Sequence, residues 1–170
     1  MRTLLVLRHA KSSWAVPGQT DFERPLSERG DAQLVRLRSF LQAEGIRAER
    51  VLCSPAARTR ATLDGILSAL GEPPVAYDDT LYNGTVDGYR AALSACTDNH
   101  LLLVGHNPTC DELVRHLAAP SSPAANALQA GHFATGTLAR LIFEGDDWAD
   151  LRRGSGRLDL FVTPKALAEA

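Results

Sequence analysis

Three short apolar runs constrain the fold of this 170-residue chain more than any other feature of its sequence. They are Leu4–Leu7, Val51–Cys53 and Leu101–Val104, and polar residues do not alternate within them. Strands that are buried on both faces have this pattern, as in a parallel sheet that helices cover on each side. A buried helix is the competing interpretation, but the runs are short for one. The pattern therefore predicts three parallel strands in one sheet.

Helical periodicity fills the segments between these runs. Ser27 is the predicted N-cap of the first helix, and Gly45 is expected to end it. Pro55 would occupy the first helical position of the second helix, directly after Ser54. The apolar spacing predicts helices over about 27–44, 54–70, 86–95 and 107–118. Alternation of strands and helices is typical of an α/β domain.

The pattern changes after Gly131. Leu138–Phe143 and Leu158–Val162 are predicted strands, and a polar connection between them allows an antiparallel hairpin beside the parallel strands. The residues from 164 to 170 could form a short helix. A chain of this length favours one domain with a sizeable core. We therefore predict a single domain over residues 1–170, with a mostly parallel central sheet and helices on both faces.

The composition excludes several classes of protein. Hydrophobic residues make up 45% of the chain and charged residues 22%, as in an ordinary globular domain. The formal net charge is −2, so the chain lacks the overall positive field with which proteins hold nucleic acid. Three cysteines without a CxxC pair disfavour a disulfide framework and a thiolate zinc site. The apolar start is too short for a signal peptide or a membrane span, so we expect a reduced, cytoplasmic protein without membrane contact.

Each of the three predicted strands is followed by residues that can bind anions. Arg8 and His9 follow the first run, Arg58 lies about one turn into the helix after the second, and His106 follows the third. Ligands of open α/β sheets bind beyond the carboxyl ends of the strands, so these side chains are expected to meet in one crevice. Helix N-termini and planar guanidinium groups at such a crevice both suit phosphate. Taken singly, each residue is more simply a solvated charge or a satisfied polar group. No close-spaced histidine pair or HExxH motif indicates a metal site.

Four separated motifs resemble those of the histidine phosphatase superfamily. Arg8-His9-Ala10 is similar to its Arg-His-Gly signature, with alanine in place of glycine. Ser54-Pro55-Ala56-Ala57-Arg58 matches its Ser-Pro-x-x-Arg segment, and Gly105-His106 matches a Gly-His pair after a later strand. The segment from Asp21 to Gly30 resembles the link between the first strand and its helix. The resemblance spans residues 2 to about 163 and looks closest to the SixA-type phosphohistidine phosphatases. It implies their three-layer, phosphoglycerate-mutase-like fold.

The resemblance implies a role for each matched residue. His9 is the expected nucleophile, giving a phosphohistidine intermediate that water then hydrolyses. Arg8, Arg58 and His106 are expected to hold the non-bridging oxygens of the transferred group. Arg24 matches a further phosphate-binding arginine of the SixA type. No metal or other cofactor is expected.

The residues after the nucleophile are expected at the rim of the site. Lys11 and Ser12 are candidate substrate-binding residues there. Trp14 belongs either to the same rim or to the packing of the following loop. Arg24 is close in sequence to Arg29, and either arginine could be merely exposed.

One departure from the mutase-like relatives concerns the general acid. Those relatives carry a glutamate at the position that corresponds to Asn83 here, and an amide cannot donate a proton as a carboxylic acid does. Asp21 is the best substitute, although a loop-capping role is equally plausible, and Asp78 and Asp79 are weaker candidates. An imidazole leaving group needs less acid catalysis than an alkoxide, because imidazole titrates near about 6.5. The departure therefore favours phosphohistidine over alkyl phosphates.

We weigh three functions on this basis. The leading hypothesis is a metal-independent phosphatase that acts on phosphohistidine in a protein, because the short stretch between Arg58 and His106 leaves no room for the cap of the mutases. The second is a broad-specificity phosphatase of small phosphate compounds. The third is a non-catalytic phosphoprotein-binding module. The expected partners are a phosphorylated histidine-containing protein or a small phosphate compound, with no nucleic acid and no membrane, and the chain is expected to be a monomer.

Overall fold

A six-stranded sheet forms the centre of the molecule in the computed structural model, which describes residues 1–170. The strands are β1 (Arg2–Arg8), β2 (Arg50–Cys53), β3 (Val75–Tyr77), β4 (His100–Gly105), β5 (Leu138–Phe143) and β6 (Arg157–Val162). Their order across the sheet is β3-β2-β4-β1-β5-β6. The helices are α1 (Glu28–Ala43), α2 (Ala57–Ile66), α3 (Val86–Ser94), α4 (Thr109–Leu117), α5 (Ala125–Ala130) and α6 (Pro164–Glu169).

The three predicted strands are parallel neighbours, which confirms the central expectation. β4 lies between β1 and β2, and Leu102 pairs with Leu5 on one side and with Val51 on the other. β5 and β6 form the predicted antiparallel hairpin, and β5 also runs antiparallel to β1. The edge strand β3 was not predicted, since its three residues are only partly buried or exposed and form no apolar run.

The two faces of the sheet contribute to two separate hydrophobic clusters. Leu4 and Val6 of β1 belong to one cluster, which includes side chains from α3 and α4. Leu5 and Leu7 belong to the other, which includes side chains from α1 and α2. Successive side chains of a strand point to opposite faces, so a strand that is covered on both sides must be apolar at every position. This explains the unbroken apolar runs and confirms an α/β fold with a mostly parallel sheet between helical layers.

The capping and proline signals in the sequence predict the ends of α1 correctly and the start of α2 wrongly. Ser27 caps α1 as expected, since its hydroxyl accepts a hydrogen bond from the Gly30 amide at 3.1 Å, and Gly45 follows the helix with a φ of +64°. The prediction that Pro55 starts α2 is wrong, because α2 begins at Ala57. Ser54 still donates its amide to the Val104 carbonyl at 3.0 Å, so the chain remains beside β4 until after the proline.

The remaining elements matter less for the site. α5 was not predicted, and it is a short helix between the proline-containing loop and Gly131. α6 confirms the expected C-terminal helix, with Thr163 as its N-cap. None of the helices has both the length and the apolar character needed to cross a membrane.

Candidate active site

A cavity of about 340 Å³ opens at the carboxyl ends of β1, β2 and β4. All eight residues predicted to be catalytic or substrate-binding line it. These residues are Arg8, His9, Lys11, Ser12, Asp21, Arg24, Arg58 and His106. Trp14, Asn107 and Thr135 complete the wall. The crevice beyond the parallel strands is therefore the place where the predicted residues meet.

The pairing of β1 with β4 brings the two histidines together. Arg8 lies opposite Gly105, and the His9 amide donates to the Gly105 carbonyl at 3.1 Å. The ring centroids of His9 and His106 are consequently 5.3 Å apart. Glycine is required at 105, because a Cβ there would lie 2.5 Å from the Tyr89 hydroxyl. That hydroxyl donates to a backbone carbonyl at 2.8 Å and accepts from the His106 amide at 3.2 Å, which anchors the start of the loop.

The ring of His9 is held in one tautomer. Its Nδ1 lies 2.7 Å from the Ala10 carbonyl oxygen, which can only accept, so Nδ1 carries the proton. Nε2 keeps its lone pair and makes no hydrogen bond within the protein. Burial, together with the positive charges of Arg58 and Arg8, lowers the pKa of His9 to about 4 against the opposing effect of the Ala10 bond. The imidazole is thus neutral at neutral pH, the form in which a histidine is a nucleophile.

His106 is also neutral, and its ring is positioned by a serine. Its Nε2 lies 2.8 Å from the Ser54 hydroxyl, while its Nδ1 is buried and has no partner. Burial, assisted by the positive charge of Arg58, lowers the pKa of His106 to about 3. If the Ser54 hydroxyl donates to Nε2, the ring proton lies on Nδ1, where it can be donated to a bound anion.

The three arginines bring more positive charge than the cavity neutralises. Arg58 donates to the Asp21 carbonyl at 2.7 Å and to its carboxylate at 3.1 Å, and Arg24 lies 3.6 Å from the same carboxylate. Arg8 donates only to the Phe133 carbonyl, at 3.1 Å. The Nε atoms of all three are buried without a hydrogen-bond partner. Two of these guanidinium groups therefore share a single carboxylate and the third, Arg8, has none, an arrangement that suits a dianionic phosphoryl group.

Asp21 lies in the cavity but is held as a carboxylate. The Tyr82 hydroxyl donates to it at 2.5 Å, and this bond, followed by the charge and hydrogen bond of Arg58, lowers the pKa of Asp21. A carboxyl with a lowered pKa is ionised at neutral pH. Asp21 is therefore not a protonated general acid before substrate binds. Burial and the hydrogen bond with Asp21 raise the pKa of Tyr82, so its hydroxyl remains protonated.

The segment around Asn83 contributes Tyr82, rather than Asn83, to the surroundings of Asp21 and His106. Asn83 lines a neighbouring cavity, whereas the Tyr82 ring lies 5.5 Å from the His106 ring. Asp78 caps the turn Asp79–Leu81 by accepting from the Thr80 amide at 2.9 Å, and neither it nor Asp79 lines the catalytic cavity. Sequence reasoning missed Tyr82, since a lone tyrosine after a turn carries no signal of its own.

The rim residues are placed by contacts with Arg24. The Ser12 hydroxyl accepts from Arg24 at 2.5 Å, and the Arg24 guanidinium stacks on the Trp14 ring at 3.6 Å. Trp14 is 72% exposed and belongs to the rim rather than to loop packing. Arg24 is buried, whereas Arg29 and Arg60 are exposed and lie outside this cavity.

Two further wall residues, Asn107 and Thr135, had not been identified from sequence. Asn107 donates to the Phe133 carbonyl at 2.9 Å, the same oxygen that Arg8 uses. Its position directly after His106 was the only available signal. The molecule contains no group of three or more His, Cys, Asp or Glu side chains arranged to hold a metal ion.

Comparison with known proteins agrees with this geometry. The family model of the histidine phosphatase superfamily (branch 1) matches residues 4–95. An uncharacterized protein of Mycobacterium tuberculosis is 33% identical over 165 residues, which cover 94% of this chain and 100% of the relative. An uncharacterized chloroplastic protein of Arabidopsis thaliana is 30% identical over 132 residues, covering 71% of this chain and 61% of the relative.

Two solved structures are similar over nearly their whole length. A candidate phosphohistidine phosphatase SixA from Nakamurella multipartitia is 36% identical, with a TM-score of 0.80 and 96% of each chain covered. The protein histidine phosphatase SixA in complex with tungstate is 25% identical, with a TM-score of 0.77 and coverage of 97% of this chain and 99% of that one. The chain therefore belongs to the histidine phosphatase superfamily, is SixA-like within it, and is a phosphatase with a histidine nucleophile.

Proposed function

We propose that this protein hydrolyses phosphohistidine on another protein, without a metal ion, through a phosphorylated intermediate at His9. One observation carries the proposal. The neutral ring of His9 donates from Nδ1 to the Ala10 carbonyl, so the lone pair of Nε2 is available in a cavity whose wall has three arginines and one carboxylate. Such a site attracts a dianionic phosphoryl group and offers a nucleophile for its phosphorus.

The reaction has two steps. In the first, Nε2 of His9 forms a bond to phosphorus while the bond from phosphorus to the substrate imidazole breaks, and that imidazole leaves with a proton from solvent. In the second, water attacks the phosphorus, orthophosphate leaves, and His9 returns to its neutral form. Arg8, Arg58 and Nδ1 of His106 hold the non-bridging oxygens throughout, with Arg24 as a further donor. Because both steps transfer only a phosphoryl group and protons, the reaction needs no oxidant, reductant or metal.

The state of Asp21 supports the choice of leaving group. Its carboxylate is engaged by Tyr82 and Arg58, and its pKa is lowered, so the cavity offers no strong acid before substrate binds. An alkoxide leaving group depends on such an acid, whereas imidazole is a far weaker base. The exposed Trp14 at an open rim is compatible with a side chain presented by a protein surface.

Hydrolysis of small phosphate compounds is the second candidate function. It would depend on the same carboxyl group, since Asp21 is the one acid in the cavity wall and would have to protonate an ester leaving group. Family membership, with its histidine nucleophile, counts against the third hypothesis of a binding module without catalysis.

The test is a phosphate-release assay in the presence of EDTA. The substrates are a histidine-containing phosphotransfer domain carrying phosphohistidine, an aryl phosphate and an alkyl phosphate, each with native protein and with His9→Ala. With native protein we expect rapid turnover of the phosphohistidine domain, measurable turnover of the aryl phosphate and little turnover of the alkyl phosphate. An acid-labile phosphoryl group should be found on native protein and not on His9→Ala. A requirement for added divalent metal, or equal activity of His9→Ala, would refute the proposal.

A further inference from the structure

A second cavity, of about 360 Å³, opens beside the catalytic cavity. We call it the basic groove, and it is lined by Arg8, Lys11, Arg29, Gln33, His132, Ala134, Thr135, Thr163, Pro164 and Lys165. Arg8, Lys11 and Thr135 line both cavities. The two cavities therefore adjoin along these three residues.

The basic groove concentrates positive charge that nothing in the protein neutralises. Four cations line it and no carboxylate does, although the whole chain has a formal net charge of −2. Arg8, Lys11, Arg29 and Lys165 take part in none of the molecule's ion pairs. Three of these, Lys11, Arg29 and Lys165, are exposed. Cations grouped in this way repel one another until an anion binds, so the groove favours a negatively charged ligand.

The backbone around the groove is closely packed, which fixes where these cations begin. A Cβ on Gly30 would lie 2.1 Å from the Lys11 carbonyl oxygen, so the start of α1 is pressed against the chain that follows His9. The Lys11 amide donates to the buried Gln33 side chain at 2.9 Å, and α6 packs against α1. Lys11, Arg29 and Lys165 thus project from three segments that hold one another in place.

We propose that the basic groove binds a second anionic group of the substrate, a carboxylate or a phosphate, while the transferred phosphoryl group lies at His9. This inference rests on the proposed function, because it assumes that phosphoryl transfer occurs in the adjoining cavity. It adds a selectivity: among phosphorylated compounds with the same leaving group, the enzyme prefers those with a further negative charge on the side of Arg29 and Lys165.

The test compares two double variants that remove the same charge. Arg29→Gln/Lys165→Gln neutralises two groove residues that have no part in the proposed chemistry. Arg36→Gln/Arg153→Gln removes two exposed arginines outside both cavities, and Arg36 lies two turns further along the same face of α1 as Arg29. Phenyl phosphate, with one anionic group, serves as the baseline substrate.

Two matched pairs of substrates distinguish the sources of the second anion. The first pair is a phosphohistidine peptide with aspartates beside the histidine and the same peptide with asparagines. The second pair is benzene-1,4-bisphosphate and phenyl phosphate. In the groove variant we expect kcat/KM to fall about threefold to tenfold for the aspartate peptide, the bisphosphate or both, with a loss that shrinks at high salt. Turnover of phenyl phosphate should stay within about twofold of native, and the control variant should match native throughout.

Binding to the His9→Ala background separates this proposal from the proposed function. The Kd of each probe is measured there by calorimetry with and without the two groove substitutions, so no turnover is needed. A selective loss of affinity for probes with a second anion supports the groove even if hydrolysis fails. Equal effects on probes with one and with two anionic groups, or equal effects of the groove and control variants, would overturn the groove proposal while leaving the proposed function intact.

Discussion

The two ends of the central sheet carry the same types of residue with different balances of charge. At the amino end, a cavity of about 270 Å³ includes Arg47, His100 and Arg140 in its wall. Arg140 makes two bonds to the Asp159 carboxylate, at 2.9 and 3.0 Å, and Arg47 donates to a backbone carbonyl at 2.7 Å. At the carboxyl end, Arg24 and Arg58 share Asp21, Arg8 has no carboxylate partner, and two neutral histidines are buried in the same wall.

This difference separates structural from functional charge. A cation that has its own carboxylate is neutralised by the fold and attracts no further anion. A surplus of cations around a neutral imidazole leaves both attraction and a free lone pair for an incoming phosphoryl group. The presence of Arg and His in a cavity is therefore weak evidence of an anion-binding site. Whether their charges are already neutralised by carboxylates is the stronger evidence.

The largest expected effect comes from removing one histidine at each end. We expect His9→Ala to lower kcat by at least about 10³-fold, because no other group supplies the nucleophile. The exposed His100→Ala should leave kcat within about twofold of native. Steady-state kinetics with an aryl phosphate measures both, and circular dichroism checks that each variant is folded. A substantial residual rate in His9→Ala would show that the nucleophile lies elsewhere.

Removing one arginine at each end should separate activity from stability. We expect Arg58→Ala to lower kcat/KM by about 10²- to 10³-fold through the loss of charge-assisted bonds to the transferred group. Arg140→Ala leaves Asp159 without its partner and should cost about 1 kcal/mol of unfolding free energy with activity nearly unchanged. Urea titration and kinetics on both variants give the comparison. Equal loss of activity in the two would contradict it.

Acid should destabilise the carboxyl end. The folded pKa of His9 is lowered to about 4, and an unfolded histidine titrates at about 6.5, so the unfolded chain binds more protons between these values. Titration of His9 therefore leaves the free energy of unfolding unchanged above about pH 6.5 and lowers it as the pH drops toward 4. Replacing His9 by Gln should remove about 2 kcal/mol of the loss between pH 7 and pH 4.5. Urea titrations at both pH values measure it, with His100→Gln as the control; identical losses in native protein and His9→Gln would contradict the burial argument.

A smaller effect is expected from the serine that positions His106. Ser54→Ala removes the hydroxyl 2.8 Å from Nε2 and with it the preference for a proton on Nδ1. We expect kcat to fall about tenfold with little change in KM, since the lost donor acts on the transferring group. Nitrogen-15 NMR of the His106 ring should show a shift in tautomer. A changed KM with an unchanged ring spectrum would indicate a merely structural role.

The smallest effect concerns Asp21 and the leaving group. We expect a steep dependence of rate on leaving-group pKa across a series of aryl and alkyl phosphates, and an almost identical slope in Asp21→Asn, because the carboxylate is already ionised by its partners. A shallow slope in the native protein that becomes steep in Asp21→Asn would instead identify Asp21 as a working acid. That result would also remove the main physical reason for preferring phosphohistidine over esters.

Local sequence patterns carried much of the fold and the choice of cavity residues. The apolar runs identified β1, β2 and β4, because a strand covered on both faces must be apolar throughout. Ser27 and Gly45 marked the ends of α1 through local backbone chemistry. Arg8, His9, Arg58 and His106 all line one cavity, since the ends of parallel neighbours share one edge of the sheet.

Only the tertiary structure decided the contacts that tune these residues. Tyr82 donates to Asp21 across 61 positions of sequence, and Ser54 contacts His106 across 52. The delayed start of α2 follows from the bond between Ser54 and Val104 in the neighbouring strand. The basic groove combines Arg29 of α1 with Lys165 of α6. Such contacts leave no periodic trace in a single sequence, because they depend on which segments the packed core brings side by side, and proximity in space then sets the pKa, the tautomer and the unneutralised charge.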